Sequence, residues 1–189
     1  MNYRNGNYCA FYVDEPFSAS SLGAHATRDF CYYNTLRMWK GQDASFPFNN
    51  SHDKTYSVRD GSDWERTLKP RLQERLRNSK NIVLFLSQST RNSRALREEI
   101  NYGVNSQGLP IIVVYPEYST KSSLLNFNNN ALSEEIKNLW SNLPILRESS
   151  RLVPILHIPM EKSTITSALQ NTDFSVHTKN KTGNFFYNV

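Results

Sequence analysis

The hydrophobic positions of this chain fall into short, dense runs separated by longer stretches of mixed polarity. Residues 82–86 and 111–114 are apolar without alternation, rich in β-branched side chains, and bounded by polar, Gly or Pro residues. Such runs predict strands covered on both faces, as in a parallel sheet between helices. Between them, Leu96, Ile100, Gly103 and Val104 recur at helical spacing, so residues 81–114 predict a βαβ unit. Sheets of this kind bind ligands beyond the carboxyl ends of their strands. In this unit that edge is residues 87–93 and the start of the helix after them.

The remaining pattern extends the same architecture. Residues 8–13 predict a first strand, ended by Asp14, Glu15 and Pro16. Residues 24–39 predict a helix with Leu22, Ala26, Phe30, Tyr33, Leu36 and Trp39 along one broad face. Residues 46–48 contain Pro47 and make an edge strand at best. Residues 60–78 predict a second helix, capped by Asp60 or Ser62, with Trp64, Leu68, Leu72 and Leu76 four residues apart. Pro70 should kink or divide it, because it removes a backbone donor.

Further along, residues 116–130 read as a long polar loop, 132–140 as a short helix and 144–150 as a connector. The apolar run at 152–158 contains Pro154, which favours an edge strand, and 161–170 predict a closing helix. Residues 171–189 are polar up to Phe185 and Phe186, and form either a tail or a segment that docks on the domain or a partner. The expectation is an α/β fold, one doubly wound domain over residues 1–170 with four or five mostly parallel strands, followed by a C-terminal extension over 171–189.

Composition narrows the class. A chain of 189 residues, 38% hydrophobic and 21% charged, suits one folded domain with a sizeable core. The net charge of +5 is scattered without a block of like charges, which disfavours nucleic-acid binding and suits an anionic small molecule. Cys9 and Cys31 fall in segments expected to be buried as free thiols. No signal peptide and no apolar span of about 18 residues is visible, so a soluble, cytoplasmic protein away from membranes is expected.

Candidate chemistry centres on the helix that begins near Ser93. Glu99 is the first candidate for a catalytic carboxylate, with Glu98 competing, since neighbours on a helix diverge by about 100° and one can face a crevice while the other is solvated. The alternative is two surface carboxylates near a helix start. Neither Gly-x-Gly-x-x-Gly nor a P-loop is present. Residues 87–90 (Ser-Gln-Ser-Thr), with Arg91, Arg94 or Arg97, could instead hold phosphate, or serve only as loop and cap. Phe11 and Tyr12 end the first strand on opposite faces, where an aromatic ring stacks on a base or joins the core. Asp43, Asn49, His52 and Asp53 are further polar loop candidates. His25, His52, His157 and His177 show no metal-ligand spacing, so no metal site is expected.

The run Leu84-Phe85-Leu86-Ser87-Gln88-Ser89, followed by Asn92-Ser93-Arg94-Ala95-Leu96-Arg97-Glu98-Glu99-Ile100, resembles the TIR-like family that includes the signal-producing (ThsB-type) proteins of the bacterial antiphage system Thoeris. Phe11, Tyr12 and Asp14, the Asp63-Trp64 pair and the strand ending at Tyr115 are compatible with it over residues 8–115. The resemblance implies a flavodoxin-like, TIR-like three-layer fold that cleaves the nicotinamide glycosidic bond of NAD, a substrate here and not a resident cofactor. It further implies a cyclic or conjugated ADP-ribose signal acting on a separate effector protein, with possible homo-oligomers.

By the same resemblance the catalytic glutamate falls on Glu99, and Phe11, Tyr12, Asp14, Ser87 and Arg94 form the NAD-contacting set. Ala95 and Leu96 stand where many members carry Trp, and the second-strand region is unusually polar around residues 46–48. Two other readings of the same topology are a non-catalytic TIR-like assembly module and a response-regulator-like phosphoacceptor built on Asp14 and Glu15.

Overall fold

Five parallel strands in the order β1-β2-β3-β4-β5 form the sheet of this computed structural model, which describes residues 4–12, 28–52 and 64–187. They are β1 (Gly6–Ala10), β2 (Ser79–Phe85), β3 (Ile111–Tyr115), β4 (Pro154–Pro159) and β5 (Gly183–Phe186). The helices are α1 (Arg28–Gln42), α2 (Lys69–Arg77), α3 (Arg94–Asn101), α4 (Glu134–Leu139), α5 (Ile145–Ser149) and α6 (Lys162–Gln170).

Every residue of β3 and β4 is buried, and period-two alternation sends their side chains into two separate cores. One core joins Ile82, Leu84, Ile111 and Val113 to Leu72 and Leu76 of α2, Leu96 and Ile100 of α3, Ile136 of α4 and Leu146 of α5. The other joins Cys9, Val83, Phe85, Ile112 and Val114 to Tyr33 and Leu36 of α1 and to Ile165, Ala168 and Leu169 of α6. The result is a three-layer α/β sandwich. Each fully buried aliphatic side chain contributes about 1.5–3 kcal/mol to it.

Residues 46–48 form no strand. Phe46 and Phe48 turn into the α1 core instead, and only Asn50 bridges Asn7 of β1 in parallel sense. That bridge lies at the open edge of β1, where a second strand would belong in the doubly wound order. The chain therefore moves outward from β1, then returns across it to β2, with α1 on one face and α2 on the other. The boundary between β1 and β2 is the topological switch point, where such folds bind ligands.

Several sequence expectations are corrected. The first strand is Gly6–Ala10 and not 8–13, so Phe11 and Tyr12 lie just beyond its ladder. The expected connector at 144–150 contains α5. The 152–158 run is no edge strand: β4 lies between β3 and β5, and its prolines, Pro154 and Pro159, are its two end residues, which leaves the ladder donors of Ile155–Ile158 intact. Cys31 is exposed, because the inward face of α1 runs through Tyr33 and Leu36; Cys9 is buried.

Pro70 does divide its helix, into a π-helical turn (Trp64–Leu68) and α2, which carries the proline in its first turn. The expected caps Asp60 and Ser62 lie outside the described residues.

The C-terminal segment docks on the domain. His157 of β4 presents Nε2 to Asn184 Oδ1 of β5 at 3.0 Å, while Tyr115 Oη lies 2.7 Å from its Nδ1 and accepts from Trp140 Nε1 at 2.9 Å. Before reaching β5, the chain crosses the amino edge of the sheet, where Val176 donates its N–H to Lys80 and Asn81 Nδ2 donates to the Phe174 carbonyl.

Candidate functional site

Helix α3 places the principal candidate. Ser93 caps it by accepting from Leu96 N–H at 3.2 Å, which fixes the helix start and therefore the direction of every later residue. Leu96 and Ile100 then face the core, and Glu99 flanks that stripe on the side toward β1. At the far end Gly103 lets the helix settle on β2, since a Cβ there would lie 2.5 Å from Ile82 Cδ1.

The Glu99 carboxyl group is influenced by two side chains from two elements, and His52 stands against both of them. Tyr8, in the middle of β1 and 2% exposed, hydrogen-bonds it through its phenol. Arg75 of α2, which flanks the Leu72/Leu76 stripe as Glu99 flanks its own, brings its positive charge close to both. His52 packs against Tyr8 with ring centroids 4.7 Å apart and ring planes tilted by 42°, and its Nδ1 lies 3.4 Å from Arg75 Nη1.

The residue Glu99 is only partly covered, yet its carboxyl is enclosed. Desolvation pushes it up from the ordinary 4.5 to about 8, against the Tyr8 hydrogen bond and the Arg75 charge, which both favour the ionised form. Burial, with Glu99 beside it, holds the Tyr8 phenol well above its ordinary range. Burial and Arg75 push His52 down to about 3, so it is neutral. A carboxyl group on such a wall can carry a proton at neutral pH and release it when a positive charge arrives.

The other sequence candidates divide between the two faces of the sheet. Tyr12 packs with the Tyr8 and Glu99 face. Phe11 packs on the α1 face, with its ring centroid 5.9 Å from Phe30 and 5.5 Å from Tyr33. Ser87 is completely buried on that same face and donates from Oγ to Asp29 Oδ1 at 3.0 Å. Asp14 lies outside the described residues. Arg94 is exposed and pairs with Glu65 at 2.7 Å. Glu98 turns toward α2 and meets Lys69 at 3.6 Å, so the two neighbouring glutamates do separate.

Asp29 was not marked by the sequence. It is 1% exposed in the first turn of α1 and accepts from Ser87, from Ser89 at 3.3 Å, from Thr90 at 3.3 Å and from the Tyr12 backbone N–H. Burial raises its pKa, and the three hydroxyls counter that rise. Tyr8 and Arg75 were also missed. Tyr8 carried a usable signal, since it shares its strand face with Tyr12; Arg75 had none beyond its place beside Leu76.

Three cavities among the described residues lie elsewhere. An open groove of about 410 Å³, lined by Thr120, Lys121, Glu161 and Thr164 among others, follows β3 and β4 on the same sheet edge but does not include Glu99. The Glu99 wall is the better candidate for chemistry, because it joins a desolvated acid to an aromatic and a cation at the switch point. Among the described residues, no group of three His, Cys, Asp or Glu side chains stands together as metal ligands, and no helix is long and apolar enough to cross a membrane.

Strand order and layering define a flavodoxin-like, TIR-like α/β domain. Residues 8–121, more than half of the chain, match the family described as Thoeris protein ThsB, TIR-like domain. The chain belongs to this family and is a TIR protein of the Thoeris defence system. The match covers β1 to β3 and α3, and so includes Glu99, Tyr8 and Arg75.

Proposed function

We propose that this protein cleaves the nicotinamide glycosidic bond of NAD and converts the ADP-ribose portion into a cyclic or conjugated signal for a separate effector protein. The observation that carries this reading is the Glu99 carboxyl, desolvated and hydrogen-bonded to Tyr8 at the switch point of a ThsB-type TIR-like domain.

In this reading the nicotinamide end of NAD lies at the carboxyl end of β1, with Tyr12 on the Glu99 side and Phe11, Asp14 and Arg94 as further contacts, while the buried Ser87 acts only through the turn that it holds. The positive pyridinium ring favours the ionised form of Glu99. As the C–N bond breaks, its electron pair leaves with nicotinamide, which departs neutral and needs no general acid. Positive charge then develops on the ribose, and the carboxylate stabilises that oxocarbenium-like state from a fixed position. Exclusion of bulk water favours capture of the ribosyl carbon by another nucleophile. A nucleophile from the bound molecule closes a ring; an added one gives a conjugate.

One observation favours a second reading. A protonated Glu99 bonded to Tyr8 is also how a purely structural buried acid is satisfied, which suits a non-catalytic assembly module. Chromatography with mass spectrometry of NAD incubated with the protein, alone and with extract of phage-infected cells, separates the two. Nicotinamide release with an ADP-ribose-derived product, absent in Glu99→Gln, is the expected result. Absence of turnover by the folded parent under both conditions overturns the enzyme reading in favour of the module.

A further inference from the structure

The groove of about 410 Å³ beyond the carboxyl ends of β3 and β4 stands apart from the Glu99 wall. Small-molecule sites occupy about 300–1,000 Å³, so its size suits a compact ligand. One wall is the turn after β3, with Thr120, Lys121 and Ser122; the other is the start of α6, with Glu161, Ser163 and Ser167. Thr164, 2% exposed, completes the lining. Every lining side chain is polar. An apolar ligand would cover these groups without returning their hydrogen bonds with water, so the groove calls for a ligand that is polar over most of its surface.

The two walls are held by the protein itself. Met160 donates its N–H to the Tyr118 carbonyl at 2.8 Å, which joins the segment after β4 to the segment after β3. Ser123 donates its N–H to Thr120 Oγ1 at 3.3 Å and its Oγ to the Thr120 carbonyl at 2.6 Å, and Leu124 anchors this turn in the core. On α6, Ile165, Ala168 and Leu169 face the core, so Ser163 and Ser167, one turn apart, share the exposed side. The charges are uncommitted. Lys121 Nζ lies 5.4 Å from the Tyr187 ring centroid and forms no ion pair among the described residues. Glu161 accepts from Thr164 Oγ1 and has no other side-chain partner among the described residues, while its neighbour Lys162 turns to Asp43 at 3.9 Å.

We propose that this groove is a ligand site separate from Glu99 and takes a phosphorylated sugar, with Lys121 on the phosphate and Glu161 on the sugar hydroxyls. A carboxylate has about four acceptor positions and no proton to give, so Glu161 repels a bare anion and favours a ligand that brings hydroxyl donors. An ammonium on the facing wall asks for one negative group, which a neutral sugar lacks. The hydroxyls of Thr120, Ser122, Ser163 and Ser167 can donate and accept, and so serve the remaining sugar oxygens. None of the lining residues belongs to the Glu99 wall, so the proposal stands whether or not NAD is cleaved.

The test is isothermal titration calorimetry of the full chain with ribose 5-phosphate, with ribose and inorganic phosphate as separate halves of that probe and thermal melts to establish folding. The expected result is one site per chain for ribose 5-phosphate, and binding of either half weaker by about tenfold or more. Lys121→Met weakens ribose 5-phosphate by about tenfold and Glu161→Gln by several-fold, as charge-assisted hydrogen bonds are lost. Ser167→Trp fills the groove from the exposed side of α6 and abolishes binding. Glu99→Gln binds as the parent does.

Absence of binding by the parent at about 10 mM ribose 5-phosphate overturns the proposal. Inorganic phosphate bound as tightly as ribose 5-phosphate overturns it as well, because the sugar then contributes nothing. Parental affinity in folded Lys121→Met or folded Ser167→Trp shows that the probe sits elsewhere and has the same force; should Lys121→Met fail to fold, Ser167→Trp decides alone. Binding lost in folded Glu99→Gln overturns the proposal and places the sugar phosphate at the Glu99 wall.

Discussion

Two buried carboxyl groups flank the switch point from opposite faces of the sheet, and they are held by opposite means. Asp29 accepts from three hydroxyls and one backbone N–H and has no cation among its interactions. Glu99 has one phenol and, nearby, one guanidinium. An ionised carboxylate has about four acceptor positions. The Asp29 shell is therefore full, and its effect is to fold the Ser87–Thr90 turn onto the start of α1. The Glu99 shell has room for the hydroxyls of a ligand. Burial alone does not distinguish a structural acid from a reactive one; the unfilled acceptor capacity does.

The largest expected effect breaks this comparison directly. In the NAD-cleavage reading, Glu99→Gln abolishes turnover, read by nicotinamide release, while Asp29→Asn retains part of it. Stability responds with a definite sign. Because the folded pKa of Glu99 lies at about 8 against an ordinary 4.5, the folded state binds the proton more tightly, and this group's contribution falls as pH rises through that window. Glutamine mimics the protonated acid. Glu99→Gln thus matches the parent near pH 4 and exceeds it near pH 9, by on the order of 2 kcal/mol or more at about 1.4 kcal/mol per unit. Urea melts at the two pH values check this; a variant that loses to the parent at both breaks the assignment of Glu99 as a desolvated acid.

Removing the other carboxylate acts on folding first. Asp29→Ala leaves the hydroxyls of Ser87, Ser89 and Thr90 facing a buried cavity and costs about 3 kcal/mol, whereas Asp29→Asn keeps the shape and costs less. Urea midpoints at neutral pH order parent, Asn and Ala. If Asp29→Ala melts with the parent, the turn is not held by this acid.

What could be read in the sequence, and what could not, follows the range of the interactions. Ser93 as a cap, Leu96 and Ile100 as the inward stripe, and the divergence of Glu98 from Glu99 are set within two turns of helix, so local periodicity reveals them. The Glu99 wall is not local: Tyr8 precedes Glu99 by about half of the chain, and Arg75 and His52 come from two other segments. No pattern marks Arg75, because its neighbours Leu72 and Leu76 already account for α2.

Pro154 suggests an edge in the sequence, where its ladder position is not visible. At a strand end it removes no interior donor, and β4 is central. The four-residue β5 has too little apolar pattern to be seen; its place comes from pairing with β4 and from the Asn184 contact with His157. Residues 46–48 suggest a strand for the opposite reason, since Phe46 and Phe48 are apolar for the core of α1 and not for a ladder.

That β4–β5 contact supplies a prediction opposite in sign to Glu99. Burial pushes His157 down to about 4 from 6.5, although its bond to Asn184 favours the charged form. The unfolded chain takes up the proton first, so the stability present above pH 6.5 is lost as pH falls toward 4. His157→Gln flattens this acid limb, with a difference of about 2 kcal/mol between the ends of the window. Thermal melts of parent and variant across that range measure it, and parallel curves break the claim that the buried imidazole is neutral.

The smallest effect on the fold sharpens the question of where a ligand lies. Arg94 and Glu65 form an ion pair at 2.7 Å with side-chain exposures of 56% and 59%. Exposed pairs contribute at most a few tenths of a kcal/mol, because solvent screens the attraction and two long side chains lose freedom. Arg94→Ala therefore melts with the parent. Its exposed position at the start of α3 makes it available to a phosphate, and in the NAD reading its loss raises KM several-fold with kcat unchanged, the mark of binding shared by ground and transition states. An unchanged KM confines Arg94 to its surface pair with Glu65 and moves the phosphates of the ligand to other residues.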